Sequence, residues 1–236
     1  MVRIIPNKKS VIVACDVESI EALKNLVEKT CHVEGIGGYK LGSILTIGYG
    51  LPSLVSVVRK LTNLPIIYDH QKAMTDIPSL GKEFATVVKK AGADAMIGFP
   101  QSGPQTQIEW IKACNSINLN VIIGGEMTHP NYLRSDRGYI ANEALDEIYT
   151  LAAKMGVNDF VVPGNKIDRI SHYKQILEPL CKDLTLYSPG LISQGGIITE
   201  AAKVAGDSWH AIVGRAIFEA KDITQAAREM TREVLK

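Results

Sequence analysis

The sequence predicts a (β/α)8 barrel, and three observations predict it. Short apolar, β-branched runs alternate with longer segments of helical spacing. The alternation repeats eight times within about 230 residues, a length over which such barrels close. Each short run is apolar on both faces, as strands of a parallel sheet are when helices cover one side and side chains fill the other.

In chain order, the strands are predicted at residues 11–16, 37–41, 65–69, 93–98, 120–125, 159–163, 184–188 and 211–214. Between them, Ile20, Leu23, Leu26 and Val27 recur at helical spacing, as do Leu54, Val57, Val58 and Leu61, and Ile148, Leu151, Ala152 and Met155. A last helix is predicted over about 223–235. Gly92 and Gly156 stand where a helix must stop before the next strand. The structural alternative, a doubly wound open sheet, needs a glycine-rich phosphate turn after an early strand. The first strand is followed instead by Asp16-Val17-Glu18-Ser19. No linker or shift in composition divides the chain, so one domain is expected over residues 1–236. The longest irregular stretch, 124–142, has the length of a loop that carries function.

Composition narrows the function classes. The chain is 46% hydrophobic and 22% charged, with a net charge of +1. That charge supplies no field for nucleic acid or for an anionic membrane surface. No apolar run reaches the roughly 18 residues of a membrane span, and the first residues lack the apolar core of a signal peptide. A cytoplasmic protein is expected. Cys15, Cys31, Cys114 and Cys181 form no CxxC pair and read as small buried thiols.

In a barrel, chemistry gathers at the C-terminal ends of the strands. Polar residues found there are Asp16, Lys40, Asp69 with Lys72 and Asp76 just beyond, then Glu126, Thr128 and His129, then Ser188, then Gly214-Arg215. If the first three strands are neighbours, Asp16, Lys40, Asp69 and Lys72 form an alternating chain of acids and bases. Each charge in such a chain sustains the next and can hold a lysine ready as a proton donor. A structural ion-pair network has the same composition. Ser193-Gln194-Gly195-Gly196 and Gly214-Arg215 follow the last two strands, where barrels bind phosphate through backbone N–H groups and arginine. No converging metal ligands and no hydrolase or P-loop signature are present in the sequence.

From the first strand to the last, these residues resemble the orotidine 5'-monophosphate decarboxylase family. The resemblance rests on Val-Ile-Val-Ala-Cys-Asp16, Gly-Tyr-Lys40-Leu-Gly, Asp69…Lys72…Asp76-Ile-Pro, Gly-Glu-Met-Thr128-His-Pro, Pro189-Gly…Gln194-Gly195-Gly196 and Val-Gly214-Arg215. It implies decarboxylation of orotidine 5'-phosphate to uridine 5'-phosphate, the last step of de novo pyrimidine biosynthesis, with neither metal nor cofactor. It further implies that Asp16 contacts the ribose, Lys40 joins the charged network, and Asp69, Lys72 and Asp76 form the catalytic set with Lys72 as proton donor to C6. Thr128 would contact the pyrimidine. The loop of Pro189 and Gln194 would close over the substrate, and Gly195, Gly196, Gly214 and Arg215 would take the phosphate. A homodimer follows as well, with Asp76 reaching the neighbouring subunit's site. The spacing departs from the family's: Asp69 to Asp76 holds two more residues than usual, and Leu80 stands where threonine is usual, beside Ser79. Residues at i and i+3 face opposite sides of a strand, so Asp69 and Lys72 converge only through a bulge or helical turn. The rival readings are a Mg-dependent sugar-phosphate decarboxylase or synthase of the same suprafamily, and a nucleotide-binding homologue with impaired catalysis.

Overall fold

The computed structural model describes residues 3–70 and 73–236. Eight parallel strands close in sequence order into a barrel. They are β1 (Lys9–Ala14), β2 (Ile36–Gly42), β3 (Ile66–Asp69), β4 (Ala95–Gly98), β5 (Asn120–Gly124), β6 (Asp159–Val161), β7 (Thr185–Ser188) and β8 (Trp209–Val213). The helices are α1 (Ile20–Thr30), α2 (Ser43–Tyr49), α3 (Leu51–Arg59), α4 (Gly81–Lys90), α5 (Pro104–Ser116), α6 (Asn142–Lys154), α7 (Ile167–Leu177), α8 (Ile198–Ala205), α9 (Arg215–Phe218) and α10 (Ile223–Leu235). None of the described helices is long and apolar enough to cross a membrane.

Local signals in the sequence explain the helices. Ser19 caps α1 by accepting the Ala22 N–H, and Asp222 caps α10 by accepting the Gln225 N–H. The predicted stripe of α1 buries Leu23, Leu26 and Val27, and that of α6 buries Ile148 and Ala152. The strands shift by a residue or two from expectation. β1 stops at Ala14, leaving Asp16 just past its end. β4 starts two residues late: the Asp94 carboxylate, paired with Arg59, takes the Ile66 N–H of β3 in place of a backbone carbonyl. β8 starts earlier, since Trp209 and His210 pair with β1.

Strand alternation separates two cores. Val11, Val13, Tyr39, Leu41, Tyr68 and Met96 face the helices. Ile12, Ala14, Ile67, Ile97, Ile122, Val161 and Ile212 fill the barrel. Ile4 and Ile5 join this inner set, with Ile5 against Gly37 and Gly38 at the start of β2, so the N-terminal segment stoppers the lower end. Just above it lies a polar layer. Ser10 and His210 are hydrogen-bonded at 2.8 Å, and the Tyr187 hydroxyl donates to Asp159 at 2.7 Å. Burial pushes the His210 imidazole down to about 3 and the Asp159 carboxyl up to about 6.

Candidate active site

At the upper end the inward parity carries charge instead of methyl groups. Asp16 follows Ile12 and Ala14 by twos, Lys40 lies opposite Ala14, and Asp69 lies opposite Gly42. The three side chains meet. Lys40 Nζ is 3.3 Å from Asp16 Oδ1 and 3.1 Å from Asp69 Oδ2. The side chains of Lys40 and Asp69 are 5% and 7% exposed, and that of Asp16 is 49% exposed. Burial works against the ammonium, yet the charges of Asp69 and Asp16 outweigh it and raise its pKa above the ordinary 10.5. Gly42 makes the meeting possible, because a Cβ there would lie 2.5 Å from Asp16 Oδ1.

Lys72 lies outside the described residues. Asp76 is described and is not part of this cluster. It is exposed, its carboxylate accepts the Ile77 N–H, and its carbonyl accepts the Thr106 hydroxyl of α5. The Trp110 indole N–H donates to the next carbonyl, that of Ile77, so this stretch is pinned to α5. It borders an apolar groove lined by Leu51, Pro52, Phe84 and Val87.

Across the barrel, sequence reasoning named Glu126 but missed its partners. Glu126 is buried and binds Lys166 at 2.9 Å, Arg169 at 2.7 Å and the Tyr173 hydroxyl. Burial raises its pKa, but these three donors prevail and hold the carboxyl below its ordinary value. A buried carboxylate requires cations, and Lys166 and Arg169, three residues apart at the start of α7, were the legible signal. The cluster fixes the strand-end segment that carries Thr128. Asn165 donates to the Thr128 carbonyl at 3.1 Å and to the Gln194 carbonyl at 3.4 Å, joining the loops after β5 and β7.

These groups share one cavity of about 640 Å3. Its lining includes Asp16, Lys40, Asp69, Thr128, Pro189, Gln194, Gly214 and Arg215. The inner floor is apolar, from Ala14, Ile97, Val161 and Ile212. Arg215 opens α9 at the mouth, exposed, and its guanidinium makes no hydrogen bond or ion pair among the described residues. Gln194 is also exposed, on a loop standing away from the floor. Gly195 and Gly196 do not line the cavity. Their N–H groups donate within the loop, to the Ile192 and Gly190 carbonyls. Ser188 is a correction: it faces outward, where its hydroxyl accepts the Trp209 indole N–H. Cys15 is fully buried, and burial with Asp16 nearby pushes its thiol up, which leaves no nucleophile there. His129 is exposed beside the Pro130 carbonyl, and His70 pairs with the Tyr68 hydroxyl. Among the described residues, no three His, Cys, Asp or Glu side chains converge as metal ligands.

The cavity thus carries buried alternating charge at one end and, at the other, an arginine without a partner among the described residues. The family model described as orotidine 5'-phosphate decarboxylase / HUMPS family matches residues 9–230. The orotidine 5'-phosphate decarboxylase of Pyrococcus furiosus is 32% identical over 224 residues, covering 95% of this chain and 97% of that protein. That of Pyrococcus abyssi is 31% identical over 227 residues, covering 95% and 98%. Among solved structures, orotidine 5'-monophosphate decarboxylase from Methanocaldococcus jannaschii, complexed with the inhibitor BMP, superposes with a TM-score of 0.84 at 24% identity. The match covers 97% of this chain and 99% of that one, and it carries the fold.

Proposed function

Because this chain belongs to the orotidine 5'-phosphate decarboxylase / HUMPS family, we propose that it removes CO2 from C6 of orotidine 5'-phosphate to give uridine 5'-phosphate, in the cytoplasm, without metal or cofactor. The observation that carries this reading is the Asp16–Lys40–Asp69 chain, held in one cavity with Arg215, which has no partner among the described residues.

Loss of CO2 leaves a carbanion at C6, so the protein must supply the stabilising charge. Lys72 is proposed to offset that charge and then protonate C6. Asp69 would stand by the substrate carboxylate, fixed by Lys40. Two like charges ~4 Å apart cost roughly 4 kcal/mol at an effective dielectric near 20, and departure of CO2 removes that repulsion. Asp16 would hold the ribose and Thr128 the pyrimidine edge. Pro189 and Gln194 would move in with their loop, and Gly195, Gly196, Gly214 and Arg215 would serve the phosphate. The two glycine amides are engaged in the loop, so their part in phosphate binding requires the loop to rearrange.

The Mg-dependent alternative needs a cation among carboxylates. Between Asp16 and Asp69 that place is held by the Lys40 ammonium. The deciding experiment is a decarboxylation assay on orotidine 5'-phosphate in EDTA, followed by the loss of substrate absorbance. Full turnover is expected, and activity that returns only with Mg2+ overturns the reading.

A homodimer belongs to the proposal. Asp76 borders a groove that includes the exposed Leu80 and Val87, and Ile77 beside it and Ile44 and Ile47 of α2 are exposed in the single chain as well. Such a surface suits burial against a second copy, with Asp76 entering the neighbour's site.

Arg215 binds far from C6, yet its binding energy can drive loop closure over the ring. Arg215→Ala is therefore expected to lower kcat/KM by about a thousandfold and kcat itself by about tenfold or more. A change confined to KM, in steady-state kinetics, removes closure from the mechanism.

A further inference from the structure

The far side of the longer Asp69-to-Asp76 stretch, from Ala73 on, docks on the end of β4. Asp69 lies opposite Ile97 in the β3–β4 ladder. The same register continued would set residue 71 opposite Phe99, since 97 − 69 and 99 − 71 are both 28. The Phe99 N–H would then go to the carbonyl before that partner, residue 70, as Tyr39 opposite Ile66 donates to Pro65; instead the Ala73 carbonyl accepts the Phe99 N–H at 2.9 Å, three residues on. The next residue, Met74, has a left-handed backbone with φ of 69° and is fully buried. Its side chain lies on Gly98, where a Cβ would fall 2.7 Å from Met74 Sδ and 3.0 Å from Cγ. A non-glycine residue adopts that φ only when its surroundings enforce it. Here the enforcing contacts are the hydrogen bond to β4 and the seat offered by Gly98.

We infer that Met74, seated on Gly98, is a positioning residue for the reaction, registering the Asp69-to-Asp76 connection on β4 so that the longer spacing still serves the active site. The inference rests on the decarboxylase reading. Met74 does not line the cavity and acts through Ala73, which directly follows Lys72 in the chain. Misplacement by an ångström far from the chemistry is enough to cost about a hundredfold in rate. The phosphate end is untouched, so substrate affinity should hold.

The test is a size swap. Gly98→Ala, Met74→Ala, Met74→Leu and the double variant Gly98→Ala/Met74→Ala are assayed on orotidine 5'-phosphate, with thermal unfolding measured on each. Gly98→Ala and Met74→Ala are each expected to lower kcat by about a hundredfold with little change in KM. Met74→Leu should retain most activity. The double variant should turn over faster than Gly98→Ala alone, because the added methyl no longer meets the thioether. Two results overturn the inference: single variants with near-normal kcat, or losses that follow only the unfolded fraction and add without rescue. A wild-type protein with no turnover fails the decarboxylase reading itself and takes this inference with it.

Discussion

Replacing Lys40 with methionine should abolish turnover and cost about 3–5 kcal/mol of stability, the penalty of breaking a buried ion pair by removing one partner. Methionine keeps the volume and much of the apolar stem, so the loss isolates the charge. Without the ammonium, Asp16 and Asp69 confront each other across a site where Lys40 stood about 3 Å from both. The cheapest relief is protonation of a carboxylate. Equilibrium denaturation should therefore find the deficit smaller near pH 4 and larger at pH 8, since acid supplies the missing proton. Wild-type protein behaves differently. Its Lys40 pKa is raised in the fold, so its contribution is complete below the ordinary value of 10.5 and lost only as strong alkali titrates the ammonium. A Lys40→Met protein with unchanged stability and an unaltered rate would leave the alternating charges without a role.

Lys72→Ala is expected to lower kcat by about ten thousandfold, the combined scale of a lost proton donor and a lost electrostatic stabiliser. Binding of uridine 5'-phosphate should survive, because Arg215, Thr128 and Asp16 remain. Near-normal decarboxylation would remove Lys72 from the mechanism. The same variant tests the dimer. Asp76→Ala alone should also be inactive. Mixing it with Lys72→Ala should recover about a quarter of the wild-type rate, since half of randomly paired dimers are hybrids and each hybrid keeps one intact site. A mixture as inactive as its components confines Asp76 to its own subunit, and an active wild-type monomer does the same.

The charged upper ring was legible because alternation by twos is rigid. Once Ile12 and Ala14 point inward, Asp16 follows, and the same phase selects Lys40 and Asp69. Ser188 was misread for the same reason: Tyr187 holds the inward position on β7, and a one-residue error in phase exchanges the faces. Partners that arrive from other elements left weaker traces. Lys166 and Arg169 look like ordinary helix-start cations until Glu126 is seen to be buried. The layer of Ser10, His210, Tyr187 and Asp159 is assembled from four strands, and no local pattern announces it. The longer spacing after Asp69 was legible as a mismatch, but its resolution was not. It depends on Gly98, a residue of another strand, leaving room for Met74.

The isoleucines beneath the barrel have a bearing on traffic. With Ile4 and Ile5 stoppering the lower end and apolar side chains filling the middle, the described residues close the cavity from below. In the proposed reaction, nucleotide enters and both the gas and the product nucleotide leave at the upper end, where Gln194 lines the cavity. Closure of the Gln194 loop around a phosphate, as proposed, would shut in the reaction and its products together. The tighter the seal that assists the chemistry, the longer each product waits, and the pace of reopening then sets the ceiling on turnover.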